Sequence, residues 1–185
     1  MNSRWIVTAL GKDRPGIVAG VTKVLYELGC NLEDSAMKRL EGEFTIMLIF
    51  SSPASVTEAV LRKAYGPLER RQGLVVHLKV LTGSEASTPK ARGSRYLISV
   101  YGADRPGIVY RVSQMLSRRS VNIIDVHTHR SVAGKGRREP SLYALLLEVE
   151  LPSGKSAAWL ERELKRATQP LGVETSLRPS EADVL

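Results

Sequence analysis

The chain has 185 residues, which at about 100 to 200 residues per domain allows one medium domain or two small ones. Its composition, 43% hydrophobic and 25% charged with a single cysteine, excludes collagen, disorder and a disulfide scaffold. The net charge of +8 favours anionic partners, while an aromatic content of only 5% leaves few rings on which nucleic-acid bases could stack.

The first half of the chain predicts six elements in the order strand, helix, strand, strand, helix, strand. A β-branched apolar run predicts the first strand, and a proline suited to a first helical position predicts that a helix begins at Pro15. Apolar residues at helical spacing give this helix a single buried face. A hairpin, a second helix and an alternating strand follow. The other predicted ranges are Trp5–Leu10, Asn31–Leu40, Phe44–Phe50, Pro53–Arg71 and Leu74–Val80.

The second half repeats the first. The segment Gly11–Val18 recurs as Gly102–Val109, with seven of eight positions identical at an offset of 91 residues. Further along the offset becomes 99, as between Gly73 and Gly172, so the second copy contains eight additional residues. We expect these in an enlarged basic turn around Gly134–Arg138.

The repeat predicts two domains joined by a linker. Residues 83–93 have the small and polar composition of a flexible linker. The first domain is therefore predicted at 1–82 and the second at 94–185. The N-terminus lacks the apolar core of a signal peptide, and no apolar run reaches the roughly eighteen residues of a membrane span, so a cytoplasmic protein without a membrane partner is expected.

The order βαββαβ in each half predicts an α+β fold. Two right-handed crossovers give a ferredoxin-like, four-stranded antiparallel sheet with both helices on one face. The segments Phe44–Phe50 and Leu142–Leu147, however, direct apolar groups to both faces of the sheet. We infer that the sheets of the two halves, or of two chains, bury each other's remaining surface. The alternative is a strand with some exposed apolar groups.

The repeated segment lies between a predicted strand and a predicted helix, where an anion could bind. We expect Gly11 to adopt a backbone conformation closed to other residues, and Asp13 to accept hydrogen bonds from nearby amides. Gly16 lies in the first helical turn, whose unpaired amides and dipole favour a guest carboxylate. Asn31 and Asp34 offer oxygen acceptors for an ammonium group.

The same loop also has a purely structural interpretation. Glycine, aspartate and proline can serve only to form the turn, and Asp13 with Arg14 can form a local ion pair worth under about 1 kcal/mol. The near-identity of the two copies indicates a shared requirement at this loop. It does not decide between folding and binding.

The chain resembles a tandem of two ACT domains, and within them the glycine cleavage system transcriptional repressor family. The resemblance covers nearly the whole chain and is carried by Asp13–Val18, Gly29–Asp34, Asp104–Val109 and Val121–Asp125. It implies ligand-sensing modules that bind amino acids at the loop before the first helix, often where two modules meet side by side. The second copy departs from the pattern at Val121, which replaces Cys30.

The resemblance implies one ligand loop in each half, faced across an interface by the polar residues that begin the following strand. The implied ligand-binding residues are Gly11, Asp13, Arg14, Gly16, Ile17, Asn31 and Asp34 in the first half, and Gly102, Asp104, Arg105, Gly107, Ile108, Asn122 and Asp125 in the second.

The resemblance also implies a function. We expect a non-enzymatic, amino-acid-sensing protein that controls transcription of glycine and one-carbon metabolism through a regulatory protein partner. The ligand would be a small amino acid such as glycine or serine, and the assembly a homodimer or an intramolecular pairing of the two domains. The alternative is a basic interaction module that binds nucleic acid or protein without a small ligand.

Patterns typical of catalysis or metal binding are missing from the sequence. No nucleophile elbow, Walker loop, dinucleotide fingerprint or zinc-protease motif occurs. His127 and His129 share one face of a strand but have no third ligand at an evident spacing. Cys30 has no catalytic partner beside it and is expected in a small apolar role. The sequence therefore predicts no enzyme, no cofactor and no metal site.

Overall fold

A computed structural model describes residues 3–82, 93–131 and 141–180 of the chain. The chain divides into two compact units, Met1–Thr88 and Pro89–Leu185. The predicted basic insertion and all but the last residue of the predicted linker lie outside the described residues, and the domain boundaries stay a prediction.

Six elements form the first unit. They are β1 (Ser3–Lys12), α1 (Ile17–Glu27), β2 (Asn31–Leu40), β3 (Glu43–Ser52), α2 (Glu58–Gln72) and β4 (Val75–Leu81). The order across the sheet is β2-β3-β1-β4, and every neighbouring pair is antiparallel. The strand β2 therefore lies at one edge of the sheet, and β1 lies near its centre.

The second unit repeats this arrangement. Its elements are β5 (Arg95–Ala103), α3 (Ile108–Arg118), β6 (Asn122–Ser131), β7 (Leu142–Glu150), α4 (Ala157–Thr168) and β8 (Glu174–Pro179). The order across its sheet is β6-β7-β5-β8, again antiparallel. The predicted α+β, ferredoxin-like fold is confirmed in both halves. None of the described helices has the length and apolar character needed to cross a membrane.

Both helices of the first unit begin later than predicted. Gly16 has φ 91°, which is not helical, so α1 begins at Ile17 and not at Pro15. The second helix begins after Thr57, whose hydroxyl accepts a hydrogen bond in the first turn, and not at Pro53. A capping side chain satisfies an otherwise unpaired amide, which favours Thr57 as the boundary.

The central strands have apolar residues on both faces, as predicted. In β3 the side chain of Leu48 is buried beneath the helices, whereas its neighbour Met47 is 47% exposed on the other face. In β7 the pair Leu147 and Leu146 repeats this contrast. The helices cover one face of each sheet, and the packing of the remaining faces on one another stays a prediction.

A buried tyrosine joins the two helices of the first unit. Tyr65 of α2 is 1% exposed, and its hydroxyl donates to the carbonyl oxygen of Val21 in α1 at 3.2 Å. Burial raises the pKa of Tyr65 above its ordinary value, because the phenolate would lose its hydration. The folded unit therefore retains this proton under conditions in which the unfolded chain releases it.

We expect Tyr65→Phe to flatten the alkaline decline in stability of the first unit. A raised folded pKa contributes stability that is present below the unfolded pKa near 10 and is lost as the pH rises beyond it. The variant should have a free energy of unfolding about 1 kcal/mol lower at neutral pH, because the hydrogen bond is lost. Urea unfolding at neutral and alkaline pH measures both effects. Burial also raises the pKa of the Cys30 thiol, so the comparison uses a Cys30→Ala background. If the free energy of unfolding fell equally with rising pH in the variant and in its parent, the expectation would be contradicted.

Candidate functional site

The loops before α1 and α3 are anchored in the same way in the two units. The backbone amide of Asp13 donates to the carbonyl oxygen of Gly42 at 2.9 Å, and that of Asp104 donates to Ser141 at 2.7 Å. Each bond ties the loop to the hairpin between the second and third strands of its unit. The loop is thereby held against the end of the sheet.

Each loop aspartate forms an ion pair that the sequence interpretation missed. Asp13 pairs with Arg39 at 3.3 Å and Asp104 pairs with Arg130 at 2.7 Å. The two arginines are aligned by the same offset of 91 that aligns the loops, and this was the available signal. The local pair between Asp13 and Arg14, which the structural interpretation allowed, is not formed, and Arg14 is exposed.

The amides that begin α1 and α3 are open to a guest. Gly16 and Gly107 cap these helices with φ 91° and 96°, and neither position provides a side-chain cap. A Cβ atom built on either glycine would meet nothing within 4 Å. Among the described residues, the amides of Val18 and Ala19 have no acceptor. The following residues Ile17 and Ile108 are buried in their cores.

The glycines that precede the loops have a different role from the one expected. Gly11 and Gly102 lie within β1 and β5, and neither has a positive φ. The expectation of an unusual backbone conformation is therefore wrong. A Cβ on Gly11 would lie 2.8 Å from the Leu74 side chain and 2.9 Å from the Gly73 carbonyl oxygen. The close approach of the chain, and not its conformation, requires glycine here.

In the first unit the loop forms one wall of a surface cavity of about 540 Å³. The opposite wall consists of apolar side chains from β2 and β3. The residues that line the cavity include Asp13, Arg14, Gly16, Ile17, Thr22, Met37 and Phe44. Four of the predicted site residues are thus brought together beside an apolar surface.

The second loop has the same backbone but more polar neighbours in its sequence. Positions equivalent to Ala19, Met37 and Phe44 carry Tyr110, Thr128 and Tyr143. The guanidinium of Arg105 donates to the carbonyl oxygen of Leu171 at 3.4 Å. The two loops therefore share the backbone of the helix start but differ in the side chains that surround it.

The remaining predicted site residues lie at the far end of β2 and β6. Asn31 begins β2, eight residues before Arg39, so about 26 Å of strand separates it from the loop of its own unit. Asp34 lies opposite Ile49, on the face of the sheet away from the helices. Within one unit these side chains do not meet the loop.

The far ends of the two edge strands share a local structure. A bulge follows Leu32 in β2 and Ile123 in β6. After each bulge an aspartate side chain, Asp34 in β2 and Asp125 in β6, accepts a hydrogen bond from the backbone amide of the following residue at 2.7 Å. Asn122 begins β6 as Asn31 begins β2. The equivalence extends beyond the loop sequence to the irregular part of the strand.

The other polar candidates remain isolated from a reactive cluster. His127 contacts Asp125 through Nε2 at 2.7 Å on the same strand. Among residues 3–82, 93–131 and 141–180, no group of three or more His, Cys, Asp or Glu side chains could hold a metal ion. Cys30 packs against the first core, and burial raises the pKa of its thiol, which disfavours the reactive thiolate.

Comparison with known proteins identifies the same module twice. The sequence profile of the ACT domain matches residues 3–79 and 94–178. The glycine cleavage system transcriptional repressor of Escherichia coli K12 is 27% identical over 173 residues, which cover 93% of this chain and 87% of that protein. A UPF0237 protein of Streptococcus mutans is 47% identical over 60 residues, 32% of this chain and 68% of that protein.

A solved structure has the same fold along the whole chain. The crystal structure of an unknown protein from Galdieria sulphuraria superposes with a TM-score of 0.80 at 24% sequence identity. The match covers 97% of this chain and 99% of that chain. The similarity supports the tandem βαββαβ architecture described above.

Proposed function

This chain belongs to the ACT domain family, and from that membership and the geometry of its loops we propose that it is a non-enzymatic regulatory protein that senses an amino acid. One observation carries the proposal. Both α1 and α3 begin at a left-handed glycine with open space where a side chain would lie. The same helix start, with unpaired amides in its first turn, suits a carboxylate in each unit.

The proposed ligand is a small amino acid such as glycine or serine. Its carboxylate would accept hydrogen bonds from the amides after Gly16 or Gly107, close to Arg14 or Arg105. Each charge-assisted hydrogen bond contributes about 1.5 to 3 kcal/mol. Five heavy atoms at no more than about 1.5 kcal/mol each limit the affinity to roughly micromolar. Such affinities suit sensing at metabolite concentrations.

The ammonium group of the ligand would be bound by a second ACT module. The acceptors Asn31 and Asp34 lie about one strand length from their own loop, as Asn122 and Asp125 do in theirs. The edge strand β2 is exposed along all ten residues. A second module aligned antiparallel to this edge would bring the start of one strand beside the loop at the end of the other. We propose such pairing, in a homodimer or between the two halves.

Ligand binding would act on a protein partner by shifting this pairing. A ligand shared by two modules binds the paired state better than the separate one, and only such a difference in affinity changes the populations. The Escherichia coli relative is named a transcriptional repressor of the glycine cleavage system, and it supports a regulatory partner that controls transcription of glycine and one-carbon metabolism.

Titration calorimetry of the full chain with single amino acids tests the proposal. We expect saturable heat with glycine, serine or another small amino acid, and none with glycinamide, which lacks the carboxylate. Sedimentation velocity with and without the ligand then measures any change of assembly. Flat titrations across the set of twenty amino acids would contradict the proposal.

A further inference from the structure

A groove between the two helices of the second unit is lined by arginines. It has a volume of about 400 Å³ and lies apart from the ligand loop. Arg111 and Arg118 lie two turns apart on one face of α3, and Arg166 of α4 lies across from them. We call this cavity the arginine groove and define it by the lining residues Arg111, Arg118, Arg119, Glu163, Arg166 and Ala167.

A nearly buried carboxylate orders part of this groove. The side chain of Glu163 is 12% exposed and accepts hydrogen bonds from Arg119 at 2.6 and 2.5 Å. Arg166 approaches its other oxygen at 3.5 Å. Within the part of the chain that the structure describes, neither Arg111 nor Arg118 has an ion-pair partner. Four arginines and one carboxylate leave three positive charges around the cavity.

The fold does not require these arginines, because the first unit carries other residues at the equivalent positions. Gly20 occupies the position of Arg111, and Leu68 that of Ala167. A Cβ on Gly20 would lie 2.8 Å from the Leu68 side chain, so these helices are in close contact there. The second unit has exchanged the small and large residues. The exchange places a long charged side chain on α3 and a small residue on α4, and both line the cavity.

The charge of the groove also distinguishes the two units. In the first unit the equivalent face of α1 carries Lys23 and Glu27, which pair with one another at 3.5 Å. Their charges cancel, whereas the arginine groove is strongly positive. Folding alone explains neither the clustering of like charges nor the absence of partners for two of them, since like charges repel one another.

We propose that the arginine groove binds a small anion carrying at least two phosphate groups. Guanidinium groups form paired hydrogen bonds with phosphate oxygens, and Arg111 and Arg118 are spaced by about 10 Å of helix, which suits an extended oligophosphate. The volume lies in the range of small-molecule sites. Beside the groove Lys165 pairs with Glu161 at 3.0 Å, which reduces the positive charge along α4 outside the groove.

The test is calorimetric titration of the full chain with inorganic tripolyphosphate, at low and at physiological salt. We expect saturable binding with one equivalent per chain. The double variant Arg111→Gln/Arg118→Gln should lower the affinity at least tenfold. Both arginines are exposed, so thermal unfolding of the variant should match that of the parent chain.

A matched control removes the same charge from the same unit. Arg162 and Arg178 are exposed and do not line the groove. The variant Arg162→Gln/Arg178→Gln should bind tripolyphosphate as the parent chain does. An equal loss in both double variants would indicate diffuse attraction and overturn the proposal, as would the absence of saturable binding. A single-stranded oligonucleotide whose affinity rises with its length and exceeds that of tripolyphosphate would assign the surface to nucleic acid instead.

Discussion

Replacing Gly11 with valine should unfold the first unit under conditions in which the native chain is stable. The new Cβ would lie 2.9 Å from the carbonyl oxygen of Gly73 and 2.8 Å from the Leu74 side chain. The carbonyl belongs to the turn between α2 and β4 and cannot rotate away as a flexible side chain can. Overpacking of this kind typically costs about 1 to 3 kcal/mol, and the two methyl groups of valine add to it. We expect a loss of about 3 kcal/mol or more.

The equivalent change in the second unit provides the comparison. A Cβ on Gly102 would lie 2.8 Å from the Val173 side chain and 3.2 Å from its Cα atom. The chain has two tryptophans, and Trp5 belongs to the first unit while Trp159 belongs to the second. In a Trp159→Phe background, denaturant unfolding followed by tryptophan fluorescence reports the first unit alone.

Gly11→Val should lower the denaturant concentration at the midpoint of the unfolding transition that Trp5 fluorescence reports. Gly102→Val should leave this midpoint unchanged if the units fold independently. Gly66 serves as a control, because a Cβ there would meet only the end of Arg70 at 3.4 Å. Gly66→Ala lies inside α2 and should preserve or raise stability by up to about 1 kcal/mol. An unchanged midpoint for Gly11→Val would show that the turn between α2 and β4 can move aside, and it would contradict the prediction.

The fold could be predicted from the sequence because its evidence is local and repeated. Apolar spacing and two copies at a nearly constant offset determine the order of elements, and chirality then leaves one favoured topology. The reason for Gly11 could not be predicted, since its neighbours Gly73 and Leu74 are brought close only by the pairing of β1 with β4. Sequence alone suggested an unusual backbone angle, which is the commoner reason for a glycine after a strand.

The position of the candidate site before each first helix was predictable from the sequence, but its side-chain partners were not. Pro15 and Gly16 mark a helix start wherever they occur before a buried apolar face. The pairing of Asp13 with Arg39 depends instead on the register of the β2–β3 hairpin, which brings the end of β2 beside the loop. The arginine groove likewise depends on which residues of α3 and α4 face one another. Such contacts require the packed structure, although the repeat offset aligns Arg39 with Arg130.

Filling the space beside the two helix starts should weaken amino-acid binding at least tenfold. Asparagine adopts a positive φ at modest cost, so Gly16→Asn and Gly107→Asn should preserve the turn. The added side chain would occupy the open volume and compete for the free amides. Loss of one charge-assisted hydrogen bond weakens binding by about 1.5 to 3 kcal/mol, or roughly tenfold to a hundredfold. Calorimetry of the double variant measures this loss. In each single variant, the number of ligands bound per chain shows whether the unchanged loop binds the amino acid.

The control for this prediction uses glycines that also have a positive φ but lie outside the proposed ligand contacts. Gly73 has φ 65° and Gly154 has φ 80°, and a Cβ on either would meet nothing within 4 Å. The variant Gly73→Asn/Gly154→Asn also places asparagine at two positions of positive φ, and it should bind the amino acid normally. Equal affinity in the two double variants would contradict binding at the helix starts. Loss in the loop variant alone, with unchanged thermal unfolding relative to the control, assigns the effect to the carboxylate-binding amides, because backbone strain is common to both.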